Sequence, residues 1–194
     1  MAKNQLIGPD AFGSSYGGQS GLRGAKLQAV TRIYTVYQAR CQQANAMDFD
    51  DILVNTFRLL NENVDIRNKY ADRFQYILVD EYQDTNSVQV AIVKLLTVKH
   101  QRVCVVGDDY QSIYSFRGAN IDNILDYQKK FDNVQVFKLE RNYRSTQKIV
   151  EAANSLMKHN VKQIPKEVYS KESEGSKISY HSCYSDKEEA MVVV

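Results

Sequence analysis

Two short apolar runs, each ending in acid, constrain this chain more than any other feature. Tyr76-Ile77-Leu78-Val79 runs into Asp80-Glu81, and Val103-Cys104-Val105-Val106 runs into Gly107-Asp108-Asp109. Neither run alternates with polar residues, as a strand with one solvated face would. Between them Val88, Ile92, Leu95 and Leu96 recur at helical spacing. Two continuous β-branched runs around an amphipathic helix predict a βαβ unit in a parallel sheet covered on both faces. The expected class is α/β.

Other elements follow from the same periodicities. Leu27, Val30, Tyr34, Tyr37, Cys41 and Ala44 fall on one helical face, and Asp48 is an N-cap for a second helix with Phe49, Ile52, Leu53, Phe57 and Leu60 inward. Ile121, Ile124, Leu125, Gln128 and Phe131 predict one further helix, followed by a strand at 134–139. A helix after Arg144 carries Ile149, Val150, Ala153, Leu156 and Met157 inward, before a polar loop at 160–177 and a strand at 178–184. Six of the nine glycines precede residue 25, which predicts a flexible lead-in over 1–25 with little packed structure. The apolar ending Met191-Val192-Val193-Val194 is of the kind found inside an element, so the expectation is a piece of something longer.

Composition narrows the class. Lys and Arg total 25 against 23 Asp and Glu, a net charge of +2, so a nucleic-acid site must be local rather than a basic blanket. Hydrophobic residues make up 43% of the chain, enough for a core and too many for wholesale disorder. No apolar run approaches the roughly 20 residues of a membrane span, so no membrane partner is expected. Cys41, Cys104 and Cys183 are scattered, which suits neither a disulfide framework nor a zinc site and fits a reducing, cytoplasmic location.

The acids matter because ligands of open α/β sheets bind at the carboxyl ends of the strands. Asp80 suits a hard divalent cation that takes one or two carboxylates and otherwise water, and a neighbouring carboxylate can deprotonate a water. The plainer reading is that Asp80, Asp84 and Asn86 cap the next helix. The second run ends near Gln111, whose amide can sense a phosphate or a water. Tyr114, Phe116 and Arg117 then offer aromatic faces beside a guanidinium, a pattern suited to stacking on single-stranded nucleic acid, although at least one of the two rings is expected in the core. A third cluster, Glu140-Arg141-Asn142-Tyr143-Arg144-Ser145, lies at another predicted strand-to-helix junction; it reads either as a phosphate contact or as a salt-bridged turn.

Together these strings resemble superfamily 1 DNA helicases of the UvrD/Rep type. Asp80-Glu81-Tyr82-Gln83-Asp84-Thr85-Asn86 resembles the family's Walker B motif, Val106 to Ala119 its motif III, and Leu139 to Ser145 its motif IV; Met47-Asp48-Phe49-Asp50-Asp51 also matches a family segment. The resemblance implies incomplete parts of two motor domains with a RecA-like P-loop NTPase sheet, over 26–132 and 133–194. It implies ATP and Mg²⁺ as cofactors and 3′-to-5′ movement on single-stranded DNA and duplex junctions. By matched position, Asp80 holds Mg²⁺, Glu81 activates water, Gln111 contacts the γ-phosphate, Tyr143 stacks on adenine and Arg144 is the arginine finger. Phe116, where many members carry Trp, stacks a base beside Tyr114 and Arg117.

The string Gly-x-x-x-x-Gly-Lys-[Ser/Thr] does not occur. Its nearest approximation, Gly8 to Ser15, has Ser14 in the lysine position and no buried strand before it. The expectation is therefore a helicase segment that by itself turns over little ATP. The alternative is a non-hydrolysing DNA- or partner-binding module with the same fold. A sheet lacking its Walker A strand also predicts self-association through an unpaired edge.

Overall fold

The computed structural model describes residues 2–16 and 21–194 and divides into two compact units, 1–134 and 135–194. The first unit contains α1 (Pro9–Ala11), α2 (Gly24–Gln43), α3 (Phe49–Glu62), α4 (Val64–Arg73), β1 (Ile77–Val79), α5 (Ser87–Thr97), β2 (Val103–Val105), α6 (Asp122–Leu125) and α7 (Tyr127–Lys130). The second contains β3 (Arg141–Asn142), α8 (Gln147–Met157), β4 (Tyr169–Ser170) and α9 (Asp186–Val193).

The βαβ unit forms as expected. β1 and β2 pair in parallel, Ile77 opposite Val103 and Val79 opposite Val105, with α5 between them in sequence. The ladder runs on past the strands: Val106 N–H donates to Val79 O at 2.8 Å, and Tyr82 N–H to Val106 O at 3.0 Å. This alignment brings both acidic strand ends level. Asn86 starts α5 through a reciprocal capping box with Gln89, and Asp48 does the same for α3 with Asp51. Val54 and Leu60 of α3, Ala71 of α4 and Val88 and Val90 of α5 form the core, joined by fully buried Tyr82. Tyr82 packs edge-on against Tyr127 at 5.5 Å.

Several expectations are corrected. The sheet is not covered on both faces: Leu78 is 77% exposed, and Cys104 beside it is exposed. Phe49 and Ile52 point outward, because the burial stripe of α3 runs through Asp51, Val54 and Leu60. Tyr37 of α2 and Ala44 just after it are exposed, and no residue of α2 is buried. Helix α4 was not legible as a separate element; its Ile66 and Tyr70 and the Phe74 that follows it recur every fourth residue, and the two rings stack at 6.0 Å. The predicted helix through Phe131 breaks at Asp126 (φ −98°, ψ 16°) into α6 and α7.

In the second unit, 134–139 and 178–184 form no strands. A strand needs a neighbour to satisfy its backbone, and pairing falls instead between β3 and β4, with β4 inside the stretch expected as loop. Ile149, Ala153 and Leu156 face solvent while Val150 is buried. Met191, Val192 and Val193 of the apolar ending lie in α9, whose residues are exposed apart from Glu188.

The glycine-rich beginning is structured where it is described; Gly17 and Gly18 lie outside the described residues. Lys3–Gln5, Pro9–Ala11 and Phe12–Tyr16 form short helical turns, and Asn4 and Phe12 are buried. Phe12 meets Tyr34 edge-on at 5.7 Å, and Tyr34 Oη donates to Ile7 O at 3.1 Å. Lys3 Nζ reaches Asp48 Oδ2 at 2.6 Å and Asp51 Oδ1 at 2.9 Å. A lysine and a phenylalanine thus anchor a segment whose glycine content suggested freedom.

Candidate nucleotide and nucleic-acid site

The two strand ends build one hydrogen-bonded set. Asp80 leaves β1 exposed, and its Oδ1 accepts the Glu81 N–H at 2.9 Å. Glu81 then adopts a left-handed backbone (φ 49°, ψ 41°), unusual for a residue with a Cβ. That reversal lets two successive carboxylates be used at one strand end. The turn Tyr82–Asp84 follows and buries Gln83 to 1% exposure. Gln83 Nε2 donates to Glu81 Oε2 at 2.8 Å and to Asp84 Oδ2 at 3.4 Å, while its Oε1 accepts the Asp108 N–H at 3.0 Å. Asp108 Oδ2 in turn accepts from Gln111 Nε2 at 2.8 Å.

Gly107 makes this junction possible. A Cβ there would lie 2.7 Å from Gln83 Oε1 and 2.8 Å from Ile124 Cδ1. Asn123, 4% exposed, closes the far side by donating to Thr85 O at 2.9 Å.

Tyr114 and Phe116 are both exposed, which corrects the expectation that at least one is core. Their ring centroids lie 5.9 Å apart, and the Arg117 guanidinium carbon sits 5.3 Å and 5.5 Å from the two. The result is a solvent-facing aromatic pair capped by a cation. Gly118, at φ 95°, turns the chain away immediately after it.

In the second unit Asn142 Oδ1 accepts the N–H groups of Arg144 and Ser145, each at 2.8 Å, holding the turn before α8. Tyr143 is 72% exposed with the Arg141 guanidinium 4.4 Å from its ring. Arg144 is exposed, and its guanidinium makes no ion pair among the described residues. The N-terminus of α8 is already served by its own chain: Gln147 and Lys148 N–H donate to Ser173 and Glu174 O.

Two family models cover nearly all of this. The UvrD/REP helicase N-terminal domain matches residues 3–132, and the UvrD-like helicase C-terminal domain matches 137–194. The chain belongs to the UvrD/Rep helicase family. It is 43% identical over 180 residues to the ATP-dependent DNA helicase PcrA of Bacillus subtilis, covering 93% of this chain and 24% of that protein. PcrA of Leuconostoc citreum is 37% identical over 193 residues, 100% of this chain and 25% of the relative. PcrA of Staphylococcus aureus is 42% identical over 167 residues, 86% and 23%. The chain therefore spans about a quarter of the length of the relatives it matches. As a UvrD/Rep family segment it is a mixed helical and parallel-strand α/β structure, with no helix among the described residues long and apolar enough to cross a membrane.

The residues missed by sequence reasoning are Gln83 and Lys3. Gln83 lay inside the Walker B string without a role, since nothing in a linear string marks an amide as buried. Lys3 sat in a glycine-rich stretch whose composition masked it.

Proposed function

We propose that this chain is part of an ATP-dependent 3′-to-5′ DNA helicase, combining the end of one RecA-like motor domain (26–132) with the start of a second (133–194). The observation that carries the reading is the shared junction at the ends of β1 and β2, where Glu81, Gln83, Asp108 and Gln111 form one hydrogen-bonded set. The plainer reading, capping of the next helix, accounts for Asn86 with Gln89 but needs no buried amide between two strand ends.

Asp80 fits a Mg²⁺ site: it is an exposed, hard-oxygen ligand with one oxygen engaged by a backbone N–H. When bound, the ion neutralises charge on phosphate oxygens. Glu81 takes the proton of the attacking water. Gln111 reads the terminal phosphate from the loop after β2. Tyr143 offers a face to adenine, and the exposed Arg144 stabilises charge as the phosphoryl group transfers. Tyr114, Phe116 and Arg117 bind single-stranded DNA by stacking, where each base is worth about 1–3 kcal/mol. Phe116 presents a smaller face than Trp, so its grip is the weaker of the two.

The test is steady-state, DNA-stimulated ATP turnover. In the full-length parent, Glu81→Gln lowers kcat about 10²- to 10⁴-fold, the usual contribution of a general base, and leaves ATP binding intact. Loss of binding instead assigns Glu81 a structural role. The 194-residue chain by itself turns over negligible ATP, because no Gly-x-x-x-x-Gly-Lys string occurs in it. A rate like that of an intact motor refutes the reading. Tight binding of single-stranded DNA, insensitive to ATP in the parent, favours the non-hydrolysing module.

A further inference from the structure

We propose that Gln83 is a positioning residue that fixes the Glu81 carboxylate and ties it to the loop carrying Gln111. The inference rests on the reading of Glu81 as the water-activating base.

Glu81 is exposed, and a surface carboxylate ordinarily samples several rotamers. Here one oxygen is held at 2.8 Å by an amide that is itself 1% exposed. The orientation of that amide follows from its neighbours. Its oxygen must face the Asp108 N–H, and its NH₂ must face the Glu81 and Asp84 carboxylates. A flipped amide would set donor against donor and oxygen against two carboxylates. Gln83 therefore has one arrangement.

The same side chain extends the connection. Asp108, whose N–H it accepts, holds Tyr110 N–H through Oδ1 at 3.1 Å and the Gln111 amide through Oδ2 at 2.8 Å. An unbroken run of hydrogen bonds thus leads from the carboxylate after β1 to the amide after β2. If packing were the only demand on this buried position, an apolar side chain would meet it without needing three polar partners. Gly107 leaves room for the amide oxygen at the one point where a Cβ would strike it.

A residue acting this way sets the rate more than the affinity for nucleotide. In the full-length parent, Gln83→Met keeps the volume and removes all three bonds; kcat falls at least 10-fold while KM for ATP stays within 2-fold. Gln83→Glu keeps the acceptor for Asp108 N–H but sets a third carboxylate beside Glu81 and Asp84. That turns the Glu81 carboxylate away, so kcat falls with KM for ATP within 2-fold while the urea midpoint is kept, a split that lost packing does not produce; an unchanged kcat overturns the role.

Glu81→Gln is run alongside. If it abolishes turnover and Gln83→Met keeps wild-type kcat, the positioning role is wrong and the base assignment stands. If Glu81→Gln keeps full turnover, the base assignment fails and takes this inference with it. Should both Gln83 variants misfold, amide hydrogen exchange in the unmutated 194-residue chain decides. A slow Asp108 amide supports the bond to Gln83, and exchange at the rate of an open loop overturns it.

Discussion

Lys3→Met is the substitution whose consequences the structure specifies most fully. The Lys3 side chain is only 10% exposed, and its ammonium bonds Asp48 and Asp51, whose side chains are 29% and 11% exposed. Burial by itself would raise the Asp48 carboxyl. The hydrogen bonds from Lys3, the Asp51 N–H and Tyr37, with the Lys3 charge, outweigh it and hold Asp48 down at about 2 against an ordinary 3.8. Burial by itself would lower Lys3, and the Asp48 and Asp51 carboxylates outweigh it and lift the ammonium to about 12. A depression of this size corresponds to ~2 kcal/mol at neutral pH, and partial exposure of Asp48 reduces that to ~1–2 kcal/mol. The Asp51 N–H and Tyr37 bonds to Asp48 survive the substitution, so removing the lysine takes away only part of this and should lower the melting temperature of the first unit by roughly 2–6 °C at pH 7.

The sign with pH is fixed. A depressed carboxyl stabilises the fold above its unfolded pKa, and that contribution disappears as pH falls through about 2. Roughly half of it has gone by pH 3. Differential scanning calorimetry of wild type and Lys3→Met at pH 7 and pH 3 should show the gap between them narrowing by about that fraction. A gap absent at pH 7 means the ion pair contributes nothing. A gap of equal size at pH 3 means that Lys3 acts through its methylene packing, and either result refutes the electrostatic account.

Two glycines give further tests. Gly107→Ala drives a methyl against Gln83 Oε1 and Ile124 Cδ1, and overpacking of this kind should destabilise the first unit by ~1–3 kcal/mol in urea unfolding. Gly175→Ala meets two penalties, a backbone at φ +78° and a Cβ that would overlap Thr146. Its effect should be ~2–4 kcal/mol, with faster amide exchange at Gln147 and Lys148 as the Ser173 and Glu174 carbonyls are displaced from the start of α8.

How much was legible in the sequence differs from element to element. The βαβ unit could be read because apolar runs, helical spacing and acids at strand ends are all local signals. The caps at Asp48 and Asn86 could be read for the same reason: a capping box closes within four residues. Strands at 134–139 and 178–184 were misplaced because a strand is completed by its neighbour, and the sequence does not name the neighbour. The candidate site divides the same way. The identities of Asp80, Glu81, Gln111, Tyr143 and Arg144 were evident in ordered strings.

The sequence by itself determined the family, the parallel pair and which chemistry-bearing residues stand at its ends. Only the tertiary structure decided that Gln83 is buried between Glu81 and Asp108, that Tyr114 and Phe116 both face solvent, and that Lys3 reaches across to Asp48 and Asp51. The physical reason is range. Periodicity and capping act over one or two turns of chain, whereas Lys3 and Asp48 are 45 residues apart and Gln83 and Asp108 are 25 apart. Such contacts exist only once packing has removed the alternatives.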